Sequence, residues 1–341
     1  MEKIPQSETG RCSWSEFKDS RRWDDFVARN GGSIFHLWSW RNVLESENRK
    51  ALYMACFDSE GRILAACPFL RSAGRRFLFL ESLPYSSMAG PVVSNTAPSL
   101  ASILAALPKS VQFSLLNPIV AMQLRVHQEK IITPLLALGI EYTFNRGLFV
   151  LNLQETSLEK IWGSGFKKHD RQAVKYYDQN STFRFAEKED EFREYFSLHE
   201  GLIRRDNKEL LPRNFMAKMR SNLGDRLKVA VVSSGERIIA GFSVMVDPSN
   251  SIVHLTLIGY SRVKNIHSPV VYLNWKILEW AHEQGFKYVD FGLTKSNSAD
   301  PVYQMKERFM ATFLPSYLFR MPTYGLSYSI ARRINRYLRN S

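Results

Sequence analysis

The sequence predicts a duplicated α/β fold made of two mixed sheets, each flanked by helices. One observation is a hairpin pattern of apolar strand, polar turn and apolar strand, which occurs at 51–70 and again at 227–246. The other is an amphipathic helix that starts beside serine and proline and leads into a short apolar strand, at 97–116 and at 268–293. Two patterns repeated in the same order indicate a repeated structural unit.

The spacing of these patterns supports a domain duplication. Arg62 and Arg237, in the two hairpin turns, lie 175 residues apart, and Pro98 and Pro269, at the two helix starts, lie 171 apart. Each copy is too long to be one unit of a solenoid. The sequence therefore predicts two domains, and no low-complexity linker separates them.

The predicted domain limits follow from the repeat and the chain length. We place the first domain at 1–150, the second, which carries the main site, at 151–320, and a basic amphipathic tail at 321–341. A chain of 341 residues is long enough for two domains of ordinary size. Its 45% hydrophobic and 13% aromatic residues supply two packed cores and argue against disorder.

In the first half, hydrophobic periodicity and turn-forming residues predict the elements that build the first sheet. They are a helix at 14–30, a short strand at 34–36, a helix from Ser39, the hairpin, strand material at 75–93 broken by Pro84 and Gly90, a helix at 98–107, a strand at 111–116, and a further helix and strand within 121–153. Strands joined first by hairpins and then by a helical crossover form a mixed sheet.

The second half predicts a similar succession of elements. They are a basic helix within 159–187 that leads into a strand, helices near 189–206 and 212–223, the hairpin, strands at 252–260 and 288–292 on either side of a helix at 269–284, and a final strand near 313–321. A change from hairpin to crossover connections opens a cleft in which ligands bind.

Net charge and cysteine content indicate the class of binding partner and the cellular compartment. The net charge of +13 favours a polyanionic partner, such as nucleic acid, a phosphorylated sugar nucleotide or an acidic lipid surface; the alternative is a solvated basic surface. Cys12, Cys56 and Cys67 have no metal-ligand spacing and no even count for disulfides, which favours a cytoplasmic compartment. Neither a secretory signal nor a membrane-spanning apolar run is predicted.

Six strings, taken in order, resemble a known family. They are IFHLWSW (34–40), KKHDRQAVKYY (167–177), HEGLIRRDN (199–207), GERIIAGFSVMV (235–246), PVVYLNWKILEWAHEQGFKYVDFG (269–292) and YQMKERFMA (303–311). Each is weak alone, but their order and spacing over nearly the whole chain are fairly specific. The chain resembles the FemAB aminoacyltransferases and the related BioF2-like (CelD) acetyltransferases, which carry two N-acetyltransferase (GNAT) domains in tandem.

The resemblance implies transfer of an acyl or aminoacyl group to an amine, often in cell-envelope or exopolysaccharide biosynthesis. We therefore expect a cytoplasmic N-acyltransferase that acts on a cell-envelope or polysaccharide-related acceptor. Two alternatives stay open: an aminoacyl-tRNA-dependent ligase of a peptidoglycan precursor, and a non-catalytic RNA- or membrane-binding scaffold. No metal and no tightly bound cofactor are expected, and the co-substrate is acyl-CoA, an acyl carrier protein or an aminoacyl-tRNA.

One departure from the family concerns the donor. GNAT enzymes that use acyl-CoA usually hold its pyrophosphate in a glycine-rich loop before the helix that corresponds to 269–284. Here the loop, SRVKNIHSP (261–269), has no glycine, which favours an acyl carrier protein or an aminoacyl-tRNA as donor. Arg262, Lys264 and the helix start at Ser268 would still attract a phosphate of the donor.

Two residues are the catalytic candidates. Lys306 lies where the family has the lysine of its Phe-Lys motif, and a lysine there would donate to the oxyanion or neutralise a phosphate; the alternative is a surface ion pair. Asp290, in YVDFG, would end a central strand at the open edge of the sheet and take a proton from the attacking amine. For Asp290 the alternative is a structural salt bridge to a buried base.

Basic residues predict where an anionic, phosphate-bearing substrate binds. Lys167, Arg171 and Lys175 are spaced to share one helical stripe, and Lys168 adjoins it; a solvated helix face is the alternative. Arg204, at a predicted helix end, would clamp a carboxylate or phosphate.

Aromatic residues and the tail complete the predicted binding surfaces. Trp38 and Tyr85 lie where the family often builds one wall of the substrate cleft, and Tyr272 would present its hydroxyl to that cleft; packing in a core is the alternative. In the tail, apolar residues recur every fourth position between 330 and 338, with arginines on the other faces. Such a helix would rest on an anionic inner-membrane surface, or dock on the first domain.

Overall fold

The computed structural model describes residues 12–46, 49–73, 78–111, 119–212, 214–261 and 268–323. The chain forms two compact units. Unit 1 comprises Met1–Pro84, Met88–Phe144 and Tyr317–Ser341, and unit 2 comprises Tyr85–Ser87 and Asn145–Ser316. Both units are discontinuous in sequence, because Tyr85–Ser87 belongs to unit 2 and the chain from Tyr317 onward belongs to unit 1. The domain limits predicted from the sequence, at residues 150 and 320, stay predictions.

The first half of the chain contains seven strands and four helices among its described residues. They are β1 (Ser13–Glu16), α1 (Ser20–Arg29), α2 (Trp38–Leu44), β2 (Ala51–Phe57), β3 (Ile63–Ala73), β4 (Leu78–Ser82), β5 (Val92–Val93), α3 (Leu100–Ala106), β6 (Ile119–Val126), α4 (Glu129–Ala137) and β7 (Glu141–Asn152). The second half of the chain continues this numbering.

The second half contains six more strands and six more helices among its described residues. They are α5 (Leu158–Lys160), α6 (Lys168–Asn180), β8 (Thr182–Phe185), α7 (Glu189–Arg205), α8 (Phe215–Leu223), β9 (Leu227–Ser234), β10 (Arg237–Asp247), β11 (Ile252–Tyr260), α9 (Pro269–Glu283), β12 (Tyr288–Lys295), α10 (Pro301–Arg308) and β13 (Thr312–Pro322). A π-helical turn, Ile161–Gly165, joins α5 to the segment before α6.

Each unit has a mixed sheet with the predicted connections. In unit 1 the strand order is β1, β2, β3, β4, β6, β13, and β5 pairs with β3; β4 and β6 are parallel, and the other pairs are antiparallel. In unit 2 the order is β7, β12, β11, β10, β9, β8, and β11 and β12 are the parallel pair. The predicted α/β class, with mixed sheets flanked by helices, is confirmed.

The repeat inferred from the sequence is visible in both units. The predicted hairpins are β2–β3 and β9–β10. The predicted helices are α3 and α9, and each connects a parallel pair of strands, β4 with β6 and β11 with β12. The strand predicted at 111–116 lies mostly outside the described residues, and the crossover strand of unit 1 is β6.

Two local predictions were wrong. The start of the helix predicted at 14–30 is β1, because Ser13–Glu16 pairs with β2, and the helix begins only at Ser20, capped by the Asp19 side chain. The strand predicted at 34–36 is a 3₁₀ turn. The turn is held by the His36 ring, whose Nδ1 lies 3.1 Å from the Ser33 backbone nitrogen.

The sheet of unit 2 is covered on both faces. Along β9, Ala230 and Val232 pack in the cluster that includes α6 and α9, whereas Val229 and Val231 pack with Tyr195 of α7. Since alternate residues of a strand point to opposite faces, α9 and α7 lie on opposite sides of the sheet. The sheet that contains the parallel pair β11–β12 therefore has helices on both faces.

Candidate functional site

The parallel strands of unit 2 pair over only a part of their length. Residues 252–254 of β11 pair with residues 288–290 of β12, but β11 continues to Tyr260 and β12 to Lys295. Within these two described strands no pairing follows His254 and Asp290. Beyond this point the two strands are not paired with each other, and this unpaired stretch, the opening, lies where the cleft was predicted.

A bulge in β12 marks the point of separation. The pairing of β12 with β7 shifts register between Asp290 and Leu293, and Gly292 has φ +76°. The Asp290 Oδ1 atom accepts a hydrogen bond of 2.7 Å from the Gly292 N–H. A side chain at 292 would be strained by this φ and would lie 3.0 Å from the Leu255 carbonyl oxygen. Glycine is therefore needed for the local geometry.

Lys306 holds the same bulge from the other side. It lies in α10, is 7% exposed, and its Nζ donates to the Phe291 O (2.6 Å), the Gly292 O (3.0 Å) and the Thr294 Oγ1 (2.6 Å). These acceptors use all three donor hydrogens of the ammonium group. Burial lowers the pKa of Lys306 to about 8, although the charge of Asp290, and that of Asp300, act in the opposite direction.

Asp290 is fully buried beside a second buried residue, His254 of β11. Its Oδ2 lies 2.9 Å from the His254 Nδ1, and the Ser87 hydroxyl lies 3.4 Å from the same nitrogen. Burial alone would raise the pKa of Asp290, but the hydrogen bond and charge of His254, with further bonds from Ser87 and Gly292, lower it. The Asp290 side chain is therefore a carboxylate at neutral pH.

His254 lies within ion-pair distance of two carboxylates, those of Asp290 and Asp247. Burial disfavours its charged form, but hydrogen bonding with Asp247 and Asp290, and their charges, outweigh burial and raise its pKa. The His254 Nε2 lies 4.0 Å from the Asp247 Oδ2. The contact between Asp290 and His254 therefore resembles the alternative stated for Asp290, a structural salt bridge to a buried base.

The structure brings the two predicted catalytic residues to one place. Asp290 binds the N–H of Gly292, and Lys306 binds the carbonyl of the same residue. Sequence reasoning missed the groups that link them: His254, Ser87 and Thr294. The only signal for His254 was a polar residue inside the apolar string IVHLTLIGY.

The basic residues of α6 differ in what they contact. Lys167, Lys168 and Lys175 are exposed, so their charges face solvent. The Arg171 Nη1 instead donates to the carbonyl oxygens of Trp162 (3.1 Å) and Phe166. Arg171 thus stabilises the π-helical turn before α6.

A buried ion pair fixes the start of α6 to α10. Asp170 is 1% exposed; its Oδ2 lies 2.8 Å from the Arg308 Nε and its Oδ1 accepts 3.1 Å from the Arg308 Nη2. The Asp170 Oδ2 also accepts from the Lys167 N–H at 3.0 Å. Sequence reasoning treated Asp170 only as the acid within a basic stripe.

Three further predicted contact residues lie elsewhere in unit 2. Arg204 is exposed and pairs with Glu200 at 3.4 Å on its own helix. Tyr272 is 2% exposed and stacks on Tyr177 with ring centroids 5.9 Å apart, which is core packing. Tyr85, with φ +64°, packs edge-on against Phe215 at 5.4 Å.

The remaining predicted residues are Trp38, Ser268, Arg262 and Lys264. Trp38 belongs to unit 1, where its ring meets Tyr53 at 5.2 Å and Arg41 lies over it at 4.6 Å. Ser268 is the N-cap of α9 and accepts from the Val270 N–H at 3.4 Å. Arg262 and Lys264 lie outside the described residues, as does the predicted tail helix from residue 324 onward.

Within the described part of the chain, no group of three or more His, Cys, Asp or Glu side chains could hold a metal ion. A search of the same residues for helices long and apolar enough to cross a bilayer finds none.

Comparison with known proteins identifies the class of the domain that carries this opening. Residues 164–304 match the family model described as an acetyltransferase (GNAT) domain. No curated protein sequence matches the chain. The segment 164–304 is a GNAT domain, and the predicted acyltransferase class is confirmed.

Solved structures extend the likeness in fold to at least 90% of the chain. FemX superposes with a TM-score of 0.65 and 12% identity, over 90% of this chain and 96% of that one. A tandem GNAT protein from the clavulanic acid biosynthesis pathway gives 0.59 and 9%, over 92% and 99%. The C-terminal domain of a putative lysylphosphatidylglycerol synthetase from Agrobacterium fabrum gives 0.58 and 15%, over 92% and 94%. The chain shares the fold of these proteins, among them a tandem GNAT protein.

Proposed function

We propose that the protein is an N-acyltransferase that transfers an acyl or aminoacyl group to an amine of a cell-envelope or polysaccharide-related acceptor. One observation carries the proposal. The parallel strands β11 and β12 separate after His254 and Asp290, and a buried ammonium group, that of Lys306, lies at the bulge where they part. An acyl chain that enters between the strands would meet the backbone of this stretch beside a cation.

The chemistry needs no covalent intermediate on the protein. The nitrogen of the acceptor amine attacks the donor carbonyl, the N–C bond forms, and the bond to the donor's sulfur or oxygen breaks. Negative charge develops on the carbonyl oxygen, and a nearby ammonium group stabilises it. Lys306 has this role here, and it reaches the oxygen by exchanging one of its three acceptors, of which the Thr294 hydroxyl is the one on a side chain.

Asp290 supports the site by positioning. Its Oδ1 holds the Gly292 N–H and its Oδ2 holds His254, so it fixes the bulge that presents Lys306. Because Asp290 is 0% exposed, a proton passes to it only through His254 or Ser87. Proton relay through Asp290 is therefore the weaker of its two proposed roles.

The donor is acyl-CoA, an acyl carrier protein or an aminoacyl-tRNA. The exposed Lys167, Lys168 and Lys175 would contact its phosphates, together with Arg262, Lys264 and the helix start at Ser268. Likeness to FemX and to a putative lysylphosphatidylglycerol synthetase supports aminoacyl donors, and likeness to a tandem GNAT protein supports a thioester. Arg204 and Tyr85 would contact the acceptor.

A second candidate function is an aminoacyl-tRNA-dependent ligase of a peptidoglycan precursor. It is favoured by the net charge of +13 together with the exposed lysines of α6. Binding of a charged RNA backbone weakens steeply with salt, whereas thioester binding does so far less. The protein would act in the cytoplasm or at the inner membrane face.

The test supplies the three donors separately: acetyl-CoA, an acetylated acyl carrier protein and alanyl-tRNA. Each is offered with a lysine-containing peptidoglycan precursor and with an amino-sugar nucleotide, and the N-acyl product is detected by mass spectrometry. We expect product with one donor class, and a loss of about 10²–10³-fold in Lys306→Ala. Lys287→Ala, an exposed lysine just before β12, is the matched control and should retain activity.

Either of two results would overturn the proposal. One is absence of product from every donor while the folded protein still binds RNA or anionic vesicles, which favours the scaffold alternative. The other is a Lys306→Ala variant that turns over as fast as the unmodified protein.

A further inference from the structure

His199 is a buried histidine that the site described above does not use. It lies near the end of α7, and its residue is 5% exposed. The backbone of α7 approaches β11 closely here, because a side chain at Gly259 would lie 2.5 Å from the His199 nitrogen. Ile258 and Gly259 belong to the part of β11 that is no longer paired with β12. His199 therefore lies next to this unpaired part of the strand.

The hydrogen bonding of His199 fixes its tautomer. Its Nδ1 lies 2.7 Å from the Ile258 carbonyl oxygen. A carbonyl oxygen only accepts, so Nδ1 must carry the proton. In the neutral ring the lone pair then lies on Nε2, and this nitrogen is buried without a hydrogen-bond partner among the described residues.

The surroundings keep the ring neutral. Burial lowers the pKa of His199; the bond to Ile258 and the charge of Glu200 oppose this, and the charge of Lys208 reinforces it. The Phe196 ring stacks against the imidazole at 5.8 Å. Arg205, also of α7, donates to the Tyr260 carbonyl oxygen of β11 at 3.2 Å. The lone pair on the Nε2 of a neutral imidazole accepts a hydrogen bond, so its partner must be an N–H or O–H donor.

We propose that the His199 Nε2 binds the acceptor amine and takes its proton during transfer. This inference deepens the proposed function and rests on it. As the N–C bond forms, one N–H proton moves to Nε2 and gives an imidazolium. The leaving sulfur or oxygen departs with its bonding electrons and is then protonated from the imidazolium. The products are an amide and the free thiol or alcohol, and His199 returns to the neutral state.

The choice of an amine over other donors follows from the place and the chemistry. An attacking amine has to lose a proton, and a neutral buried imidazole is a suitable base for it. Asp290 cannot compete, since its carboxylate is bound to His254 and Gly292. Because the His199 Nε2 is buried, an acceptor reaches it by displacing the groups that cover it.

The first test is independent of turnover. In protein labelled with ¹⁵N at its seven histidines, the His199 signals are those that His199→Asn lacks. We expect the Nδ1-protonated neutral tautomer at pH 7, and a shift of the Nε2 signal on adding ethylamine. Tetramethylammonium, a cation without an N–H donor, should leave that signal unchanged. A proton found on Nε2, or no response to ethylamine, would overturn the proposal.

The second test uses whichever donor gives product in the transfer experiment described under the proposed function. In His199→Asn the amide nitrogen replaces Nδ1 and keeps the bond to Ile258, while Nε2 is removed. We expect kcat/KM to fall by about 10²–10⁴-fold and the acid limb of its pH profile to disappear, with donor binding unchanged. An unaltered pH profile would show that His199 is only structural.

The outcomes separate the two proposals. If no donor supports transfer but ethylamine still shifts the Nε2 signal, the proposed function fails and the amine site stands. If transfer occurs and His199→Asn retains full activity and pH dependence, the function stands and the role of His199 is wrong.

Discussion

The two parallel strand pairs, β4 with β6 in unit 1 and β11 with β12 in unit 2, share a topology but differ where they end. In unit 1, β4 stops at Ser82, one residue after its last pairing with β6, at Glu81 and Gln123. In unit 2, both strands run on for five or more residues after their last pairing. Among the described strands of the two pairs, only β11 and β12 both run on well beyond their pairing with each other.

The buried polar groups differ in the same way. His36 of unit 1 is buried, but both ring nitrogens lie within hydrogen-bond distance of neighbours, Ser33 and the Gly90 carbonyl. Unit 2 buries His254, Asp290 and Lys306 around its opening. Buried charges are costly unless paired, so their concentration at one point indicates a functional demand there.

The largest effect is expected from breaking the buried pair of unit 2. Asp290→Ala removes the closest hydrogen-bond partner of His254 and frees the Gly292 N–H. We expect the free energy of unfolding to fall by about 3–5 kcal/mol, measured by denaturant titration. Glu141→Ala, which removes a partly exposed ion pair with Arg320 in unit 1, should cost about 0–1 kcal/mol. Equal losses of stability in Asp290→Ala and Glu141→Ala would contradict this difference between the two units.

A glycine pair in the π-helical turn tests how closely α10 packs. A side chain at Gly165 would lie 2.3 Å from the Arg308 carbonyl oxygen, whereas one at Gly163 meets nothing within 4 Å. We expect Gly165→Ala to lower the free energy of unfolding by about 3 kcal/mol and Gly163→Ala to change it little. If both variants unfold at the same denaturant concentration, the close approach is wrong.

The buried lysine predicts a pH dependence. Because the folded-state pKa of Lys306, about 8, lies below the ordinary lysine value of 10.5, the unfolded chain binds more protons between these values, and stability rises with pH there. The gain from this group alone is about 2 kcal/mol between pH 8 and pH 10. Lys306→Met should lack this gain, so the stability of the unmodified protein relative to the variant should rise with pH over this range. Parallel curves would contradict the burial of the ammonium.

The smallest effect compares the equivalent helices of the repeat. Ser99 caps α3 and Ser268 caps α9, with side-chain bonds of 3.3 Å and 3.4 Å. Each serine to alanine change should lower stability by about 1 kcal/mol. If the start of α9 also receives a donor phosphate, only Ser268→Ala should weaken donor binding, measured by calorimetry. Equal weakening in both would remove the proposed role of that helix start.

Local patterns were enough to predict most of the fold. Both hairpins, α9 and β12 follow from short-range periodicity and turn residues, and their repetition predicted the duplicated architecture. β1 was missed because it depends on pairing with β2, some forty residues away in sequence. Its own residues, SWSE, have no strong alternation.

The candidate site was predicted in part. Asp290 and Lys306 were identified through resemblance, and only the fold brings both onto Gly292. Asp170 and Arg308 are 138 residues apart, and His254 and Ser87 are 167 apart, so no local pattern connects them. The tautomer of His199 depends on a backbone carbonyl of another strand. Such long-range contacts are set by tertiary structure.

Hydrogen exchange measured by mass spectrometry, with and without each donor, tests the central claim most directly. If the separated halves of β11 and β12 receive the acyl chain, the active donor should slow exchange in peptides that cover 255–260 and 291–295. Peptides that cover β4 and β6 should be unaffected. A donor that supports transfer yet protects neither segment of unit 2 would contradict the account.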